Sequence, residues 1–412
     1  MSGSPASEPS SSETHPRGLG PRLLDESFPD ETRRHVVEVT AARTAANAAF
    51  RFAPPFLASI ADDFGTTLGR IGVALMLTEL VMGAAPALGS VVDRMHRRTS
   101  MVVGLSGVAV ASVIAATSSA LWMFVIGIML LGLSKFVFDM GLTAWVNDQV
   151  DYERRGRVIG ITETSWALGL LLGVTSLGLV ASASSWRWGY VVGAVVVIAM
   201  AILLAFRLGE GAASPHPTGE SPTRRPMPRR GFLVVAAMYF LMAASQCMFV
   251  TFGSWLEDGF GYSEAAIAGV AFGLGAFELL ASVTSARRTD VWGKERSTIL
   301  GTGLIVPAAL LLVVFSEVQA VGIAMLAVYL LGFEFAIVSL LPLAANVIPD
   351  SPGRGLGWAI GGGTLGRATM SVVATALYDA HGIGAASLMG AACAVLCIGA
   401  TWSYGRVIRQ PR

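Results

Sequence analysis

Apolar runs of bilayer length follow one another along nearly the whole chain, separated by short polar breaks. Read by run and break, the pattern predicts twelve helices. In the first half they lie at about 36–61, 71–91, 100–117, 120–147, 158–182 and 187–207. In the second half they lie at about 231–256, 264–287, 297–316, 320–347, 355–378 and 383–405. Some breaks, such as Ser118-Ser119, are so short that the flanking helices must run antiparallel. Two polar stretches stand outside this rhythm. Residues 1–34 are rich in Ser, Pro and Glu and are expected to form a disordered tail; they lack the basic start and apolar core of a secretory signal. Residues 209–230 are rich in Pro, Ser and Arg and read as a linker. The expected architecture is an all-α membrane protein, with one six-helix bundle at 35–208 and another at 231–412.

Composition agrees. Of 412 residues, 53% are hydrophobic and only 14% charged, whereas soluble domains carry roughly 25% charged residues. The basic residues predict the orientation. With the tail in the cytoplasm, the outer loops hold only Arg70 and Arg187, while Arg43, Arg51, Lys135 and Arg367 lie inside helices. The rest of the 29 Lys and Arg fall in the tail, the inner loops and the inner helix ends. The positive-inside rule then puts both termini in the cytoplasm and the chain in the cytoplasmic (inner) membrane. Cys247, Cys393 and Cys397 sit in apolar segments and read as packing residues, and the five histidines are scattered, so neither a metal nor a cofactor is expected. No nucleotide-binding loop is present; ATP-driven pumping, enzymatic chemistry and a nucleic-acid partner are not expected.

The chain also repeats itself. The stretch 89–98, GSVVDRMHRR, sets Gly89, Asp93, Arg94, Arg97 and Arg98 between two apolar runs, and 289–297, TDVWGKERS, does the same with Asp290, Gly293, Lys294 and Arg296. Asp93 to Gly104 and Asp290 to Gly301 have equal spacing at an offset of 197. The same offset carries Gly156, Arg157, Gly160 and Gly169 onto Gly353, Arg354, Gly357 and Gly366. At an offset of 196, Phe64, Gly65 and Ile71 fall on Phe260, Gly261 and Ile267. Three matches in order at nearly one offset point to a duplicated six-helix unit, an architecture of secondary transporters.

Together these features resemble the major facilitator superfamily over the chain after residue 35. Its signature loop reads approximately G-x-L-A-D-R-x-G-R-R; Gly89, Asp93, Arg94, Arg97 and Arg98 match, with His96 in place of the second glycine. The second copy keeps Asp290, Gly293, Lys294 and Arg296 but has Val291 where an arginine is common. The resemblance implies two pseudo-symmetric bundles that alternate in access. It implies that Asp93 meets the glycine-rich helix start at 353–357 and Asp290 the one at Gly156, where uncovered N–H groups attract a carboxylate. Arg97 is expected to pair with Asp148. Gly169, Gly173 and Gly178 partly match the antiporter glycine motif of drug exporters, Val174 and Leu177 departing from it.

Nine ionisable residues lie deeper in the apolar segments, where each is costly unless paired or facing water. Arg43, Arg51, Glu79, Lys135, Asp139 and Glu163 of the first half can neutralise one another; Glu278, Glu334 and Arg367 of the second leave one carboxylate over. With Glu334–Arg367 as the expected pair, Glu278 is the expected proton carrier, and Glu334, Asp139 and Glu163 are the other candidates for proton coupling. Arg43, Asn47, Arg51, Lys135, Trp166, Gln246 and Arg367 are the candidate cargo-cavity residues, with Phe249 and Trp255 as further aromatic candidates. The expected function is a monomeric secondary transporter in the lipid bilayer that exports small organic molecules or drugs in exchange for protons. The alternatives are proton-coupled import of a polar or anionic metabolite, suited by the four intramembrane cations, and a sensor or assembly partner that moves nothing.

Overall fold

A computed structural model describes residues 23–84, 95–151, 154–209, 227–348 and 352–409, and every regular element among them is a helix. In chain order these are α1 (Asp30–Arg51), α2 (Leu57–Asp63), α3 (Leu68–Ala84), α4 (Arg97–Ala116), α5 (Leu121–Gln149), α6 (Arg155–Leu168), α7 (Thr175–Ser182) and α8 (Trp186–Arg207). After the linker come α9 (Gly231–Phe249), α10 (Phe252–Phe260), α11 (Glu264–Trp292), α12 (Lys294–Phe315), α13 (Gln319–Ala345) and α14 (Pro352–Arg409). Among the described residues, nine stretches are long and apolar enough to cross a membrane. One of them, Gly355–Val407, contains a turn at Gly382 (φ 73°), a left-handed backbone that glycine tolerates and that splits α14 into two arms.

Both sides of these helices are apolar, for different reasons. On α8, Tyr190, Val197, Ala201 and Leu204 are buried, whereas Trp188, Val195, Ile202 and Phe206 point outward. An outward face of that kind is stable only against lipid. The chain is a multi-pass membrane protein.

Two faces of the molecule can be told apart by their contacts. On the face where the N-terminal segment lies, Arg97 Nε is 2.7 Å from Asp148 Oδ2, and Arg154 donates to the Ser27 carbonyl at 2.6 Å. On the far face, Arg187 pairs with Asp63 and donates to the Ser118 carbonyl at 2.9 Å, beside a cluster of Phe64, Phe124 and Trp186.

Several sequence expectations change here. The tail was expected to run to residue 34, but Leu24 and Phe28 are buried and α1 already begins at Asp30. Asp30 and Glu31 in its first turn favour that start, being acidic at the positive end of the helix dipole. The segment expected as one helix at 36–61 is interrupted at Pro54-Pro55 by a 3₁₀ turn, Pro54–Phe56, between α1 and α2. The second charged stretch is hardly a loop: α11 runs to Trp292 and α12 starts at Lys294, leaving Gly293 (φ 90°) as the whole turn. Gly89, Asp93 and Arg94 lie outside the described residues, as does the side chain of Asp290, so the contacts expected of these carboxylates do too.

The matched glycines do matched work. Gly65 and Gly261 both adopt positive φ, 57° and 66°, at the far-face ends of α2 and α10. A methyl added at Gly104 would lie 2.5 Å from the Phe138 backbone nitrogen, and one at Gly301 2.7 Å from that of Ala336. α4 meets α5 as α12 meets α13, through a glycine that lets backbones touch.

Candidate functional site

The bends of the first and seventh segments leave a cavity between the helices before the linker and those after it. It is lined by Phe50, Arg51, Thr78, Glu79, Trp166 and Tyr190 on one side and Met242, Gln246, Phe249, Phe333 and Arg367 on the other. It contains about 790 Å³ of non-atom space, open solvent included.

Two ion pairs cross it. Arg51 donates from Nη2 to Glu278 Oε1 at 2.8 Å and from Nη1 to Glu278 Oε2 at 3.0 Å, with side chains 3% and 0% exposed. Its Nη1 also donates to the Trp166 carbonyl at 2.7 Å. The guanidinium is stacked between the rings of Trp166 and Phe249, at 4.6 and 4.8 Å. Such a pair persists in an apolar interior because two parallel bonds and two ring faces replace lost water. Below Trp166 the helix widens into a π-helical turn over Gly169–Val174. There Gly169 and Gly173 let α1 approach closely: a methyl at Gly169 would lie 2.8 Å from Asn47 Cβ, and one at Gly173 would overlap Ala48. On the other flank, Arg367 Nη2 donates to Glu79 Oε2 at 2.8 Å.

The expected Glu334–Arg367 pair is therefore absent. Charge counting within each half assumed partners within each half; in the folded chain Arg51 and Glu79 of the first reach Glu278 and Arg367 of the second. The total still leaves one carboxylate over, but it is Glu334 rather than Glu278. Among the described residues its one hydrogen bond comes from Ser282 Oγ, at 2.5 Å, and it is buried. Ser282 went unnoticed in the sequence, although it stands one helical turn from Glu278 and shares its face.

The remaining charges form one network nearer the tail face. Arg43 reaches Asp139 at 3.2 Å and Glu163 at 2.7 Å, and Lys135 Nζ is 2.5 Å from Asp139 Oδ2. Lys135 and Arg43 thus lie beside the cavity rather than in its lining. Asn47 and Trp255 are outside the lining as well. Asn47 donates to Ser165 Oγ at 3.1 Å between α1 and α6; Trp255 is buried against Gly322 and donates to the Ser316 carbonyl at 3.2 Å. Trp166, Gln246, Phe249, Arg51 and Arg367 do line the cavity.

The two sets of helices close on the far face. A methyl at Gly253 would overlap the Pro55 carbonyl, Ser59 Oγ lies 3.4 Å from Glu257 Oε2, and the Gly69 N–H donates to Asp379 Oδ2 at 2.7 Å. The hydrogen bonds joining described residues of the two sets all lie at mid-depth or on this side.

The model of the Major Facilitator Superfamily matches residues 40–368. The chain belongs to the Major Facilitator Superfamily. Among superfamily relatives, the MFS-type transporter YwfA of Bacillus subtilis is 25% identical over 262 residues, 61% of this chain and 63% of that protein. The class C tetracycline resistance protein of Escherichia coli is 26% identical over 379 residues, 82% of this chain and 87% of that one. The chain thus spans a little under two thirds of YwfA and most of the tetracycline protein. A solved bacterial homologue of the human lysosomal transporter Spinster, inward-facing and unoccupied, shares the fold at TM-score 0.76 and 11% identity, over 93% of this chain and 99% of that one.

Proposed function

We propose that this transporter exports small organic molecules in exchange for protons, by alternating access of the central cavity. In this reading twelve helices form two pseudo-symmetric six-helix bundles, 35–208 and 231–412, in the cytoplasmic membrane. Both termini are cytoplasmic, so the tail face looks inward and the closed far face looks outward. The chain works as a monomer without ATP. Arg97–Asp148 and the signature residues Arg98, Lys294 and Arg296 brace the cytoplasmic side while the bundles rock.

The observation that carries the reading is Glu334. Among the described residues this carboxylate has a serine and no ion-pair partner, and a charge left unpaired in an apolar interior is costly. It stands next to the Arg51–Glu278 pair that ties the bundles together. Four cations and five carboxylates lie within the apolar segments, and one proton balances them. Proton uptake and release at Glu334 would change which carboxylate holds Arg51, and with it the tie between bundles. The similarity to a tetracycline resistance protein and the partial antiporter glycines favour export.

Cotransport of an anionic metabolite is the second reading, favoured by the arginines in the lining. Proteoliposomes carrying a pH dye, challenged with a panel of drugs, sugars and organic acids, separate the two. Exchange and cotransport move the proton in opposite directions relative to the compound. Silence for every compound would overturn both and leave a sensor.

A further inference from the structure

The lining of the cavity is specific about charge. It contains two guanidinium groups, and they are used very differently. Arg51 makes three hydrogen bonds from its two terminal nitrogens and lies over two rings, so only its buried Nε is left without an acceptor. Arg367 makes one side-chain hydrogen bond, from Nη2 to Glu79; its Nε is buried without an acceptor, and the side chain keeps 16% exposure. A guanidinium has five N–H donors in a planar fork, and leaving them unmet in a low-dielectric interior is costly. The fork of Arg367 is open to whatever enters.

Carboxylates in the cavity are committed in turn. Glu79, the carboxylate in the lining, is bound to Arg367, and both oxygens of Glu278 are held by Arg51. The ring faces of Trp166 and Phe249, which could cradle an organic cation, already cradle Arg51. Among the lining residues a cationic compound would find neither an unpaired carboxylate nor these two faces; Glu334 is not part of the lining. The rest of the wall is mostly apolar, including Leu75, Ile128, Leu131, Met242 and Phe333, with Thr78, Ser245 and Gln246 as uncharged polar members. One cation offers free donors, so one negative charge is matched; a second would face Glu79.

We propose that the cavity binds a hydrophobic monocarboxylate, its carboxylate on the open fork of Arg367 and its ring or chain on the apolar wall. Binding places the ligand in competition with Glu79 for the same guanidinium. The Glu79–Arg367 contact joins α3 to α14 across the cavity, so an anion that displaces Glu79 also loosens one tie between the bundles. This names the cargo class of the transport proposed above and rests on it only in taking this cavity for the cargo site.

The test is calorimetric titration of the purified full chain with 2-naphthoate, its neutral amide 2-naphthamide, and the cation 2-naphthylmethylammonium. We expect the carboxylate to bind at least about tenfold more tightly than the other two, the worth of one charge-assisted bond. Arg367→Gln abolishes that preference. Because Arg367→Gln strands Glu79 and can damage folding, Glu79→Gln supplies an effect of opposite sign: removing the competitor tightens naphthoate binding several-fold. The double variant, which carries neither charge, binds acid and amide alike. Equal or tighter binding of the amide or the cation would overturn the proposal. So would weaker naphthoate binding by Glu79→Gln, or no binding of naphthoate by folded protein. If other compounds still move protons in proteoliposomes, the transport reading survives that failure.

Discussion

Arg51 and Glu278 hold each other by two hydrogen bonds across the middle of the molecule, at 2.8 and 3.0 Å and out of reach of solvent. One residue comes from α1 and the other from α11, so the bond joins the two sets of helices. Removing one partner strands the other as an unpaired charge in an apolar interior, at about 3–5 kcal/mol. Arg51→Met and Glu278→Gln should each lower the unfolding temperature of the purified protein and abolish transport. Replacing both, as Arg51→Met with Glu278→Leu, should recover most of the stability and none of the transport. A double variant as unstable as the singles would mean that packing, rather than charge, dominates there.

In the network near the tail face, Asp139 is the counter-ion of both Lys135 and Arg43, whereas Glu163 serves Arg43 alone and is 49% exposed. Asp139→Asn should therefore destabilise the chain by about 2–4 kcal/mol, mainly through the buried Lys135 ammonium left behind. Glu163→Gln should cost about 1 kcal/mol or less, since water replaces it. Unfolding temperatures of the two variants, measured in one detergent, check the ranking.

The far face is closed by direct backbone approach at Gly253 and by the near contact of Ser59 with Glu257. Ser59→Cys and Glu257→Cys, joined by a bifunctional thiol cross-linker that spans the length of the lost glutamate side chain, should trap the state described here and stop transport. Gly253→Val should act in the opposite sense, holding the far face apart. A membrane-impermeant thiol reagent should then label Ser59→Cys faster than in the parent. Unchanged labelling would show that the Pro55 contact does not control closure.

The segment before α1 is strapped to the start of α6. Arg157 binds Asp25 at 3.1 Å and the Leu23 carbonyl at 2.9 Å, and Leu24 is buried. The Ser27 hydroxyl and backbone N–H, with Arg157 and Arg154 adding to them, hold the Asp25 carboxyl below its usual range. A depressed carboxylate pKa contributes stability above the unfolded value and loses it as pH falls through the folded one. The strap should thus resist proteolysis from neutral pH down to about pH 5 and loosen only below the ordinary aspartate range. Arg157→Ala should expose it already at neutral pH.

The helices were legible because apolar runs and short breaks report bilayer crossings directly; of the matched glycines, Gly65 and Gly261 are held by a positive φ and Gly104 and Gly301 by a neighbouring backbone. The Arg97–Asp148 contact was legible too, both residues standing at ends of adjacent helices. The cross-cavity pairs were not. Spacing along a helix says which face a charge occupies but not how two bundles are turned against each other, so Arg51 could not be assigned to Glu278 nor Glu79 to Arg367. For the same reason Glu278 and Glu334 were exchanged as the carboxylate left over. The turn at 289–297 was misread as a loop because its charges hid that Gly293 alone suffices to reverse the chain.

In the proposed exchange Glu334 is the group that carries the proton. The most direct test measures two fluxes in the same proteoliposomes: proton movement driven by addition of a transported compound, and exchange of that compound, labelled against unlabelled, with no pH gradient. Glu334→Gln should keep the exchange and lose the proton movement. Proton movement at the parent's rate and pH dependence in Glu334→Gln would contradict the account.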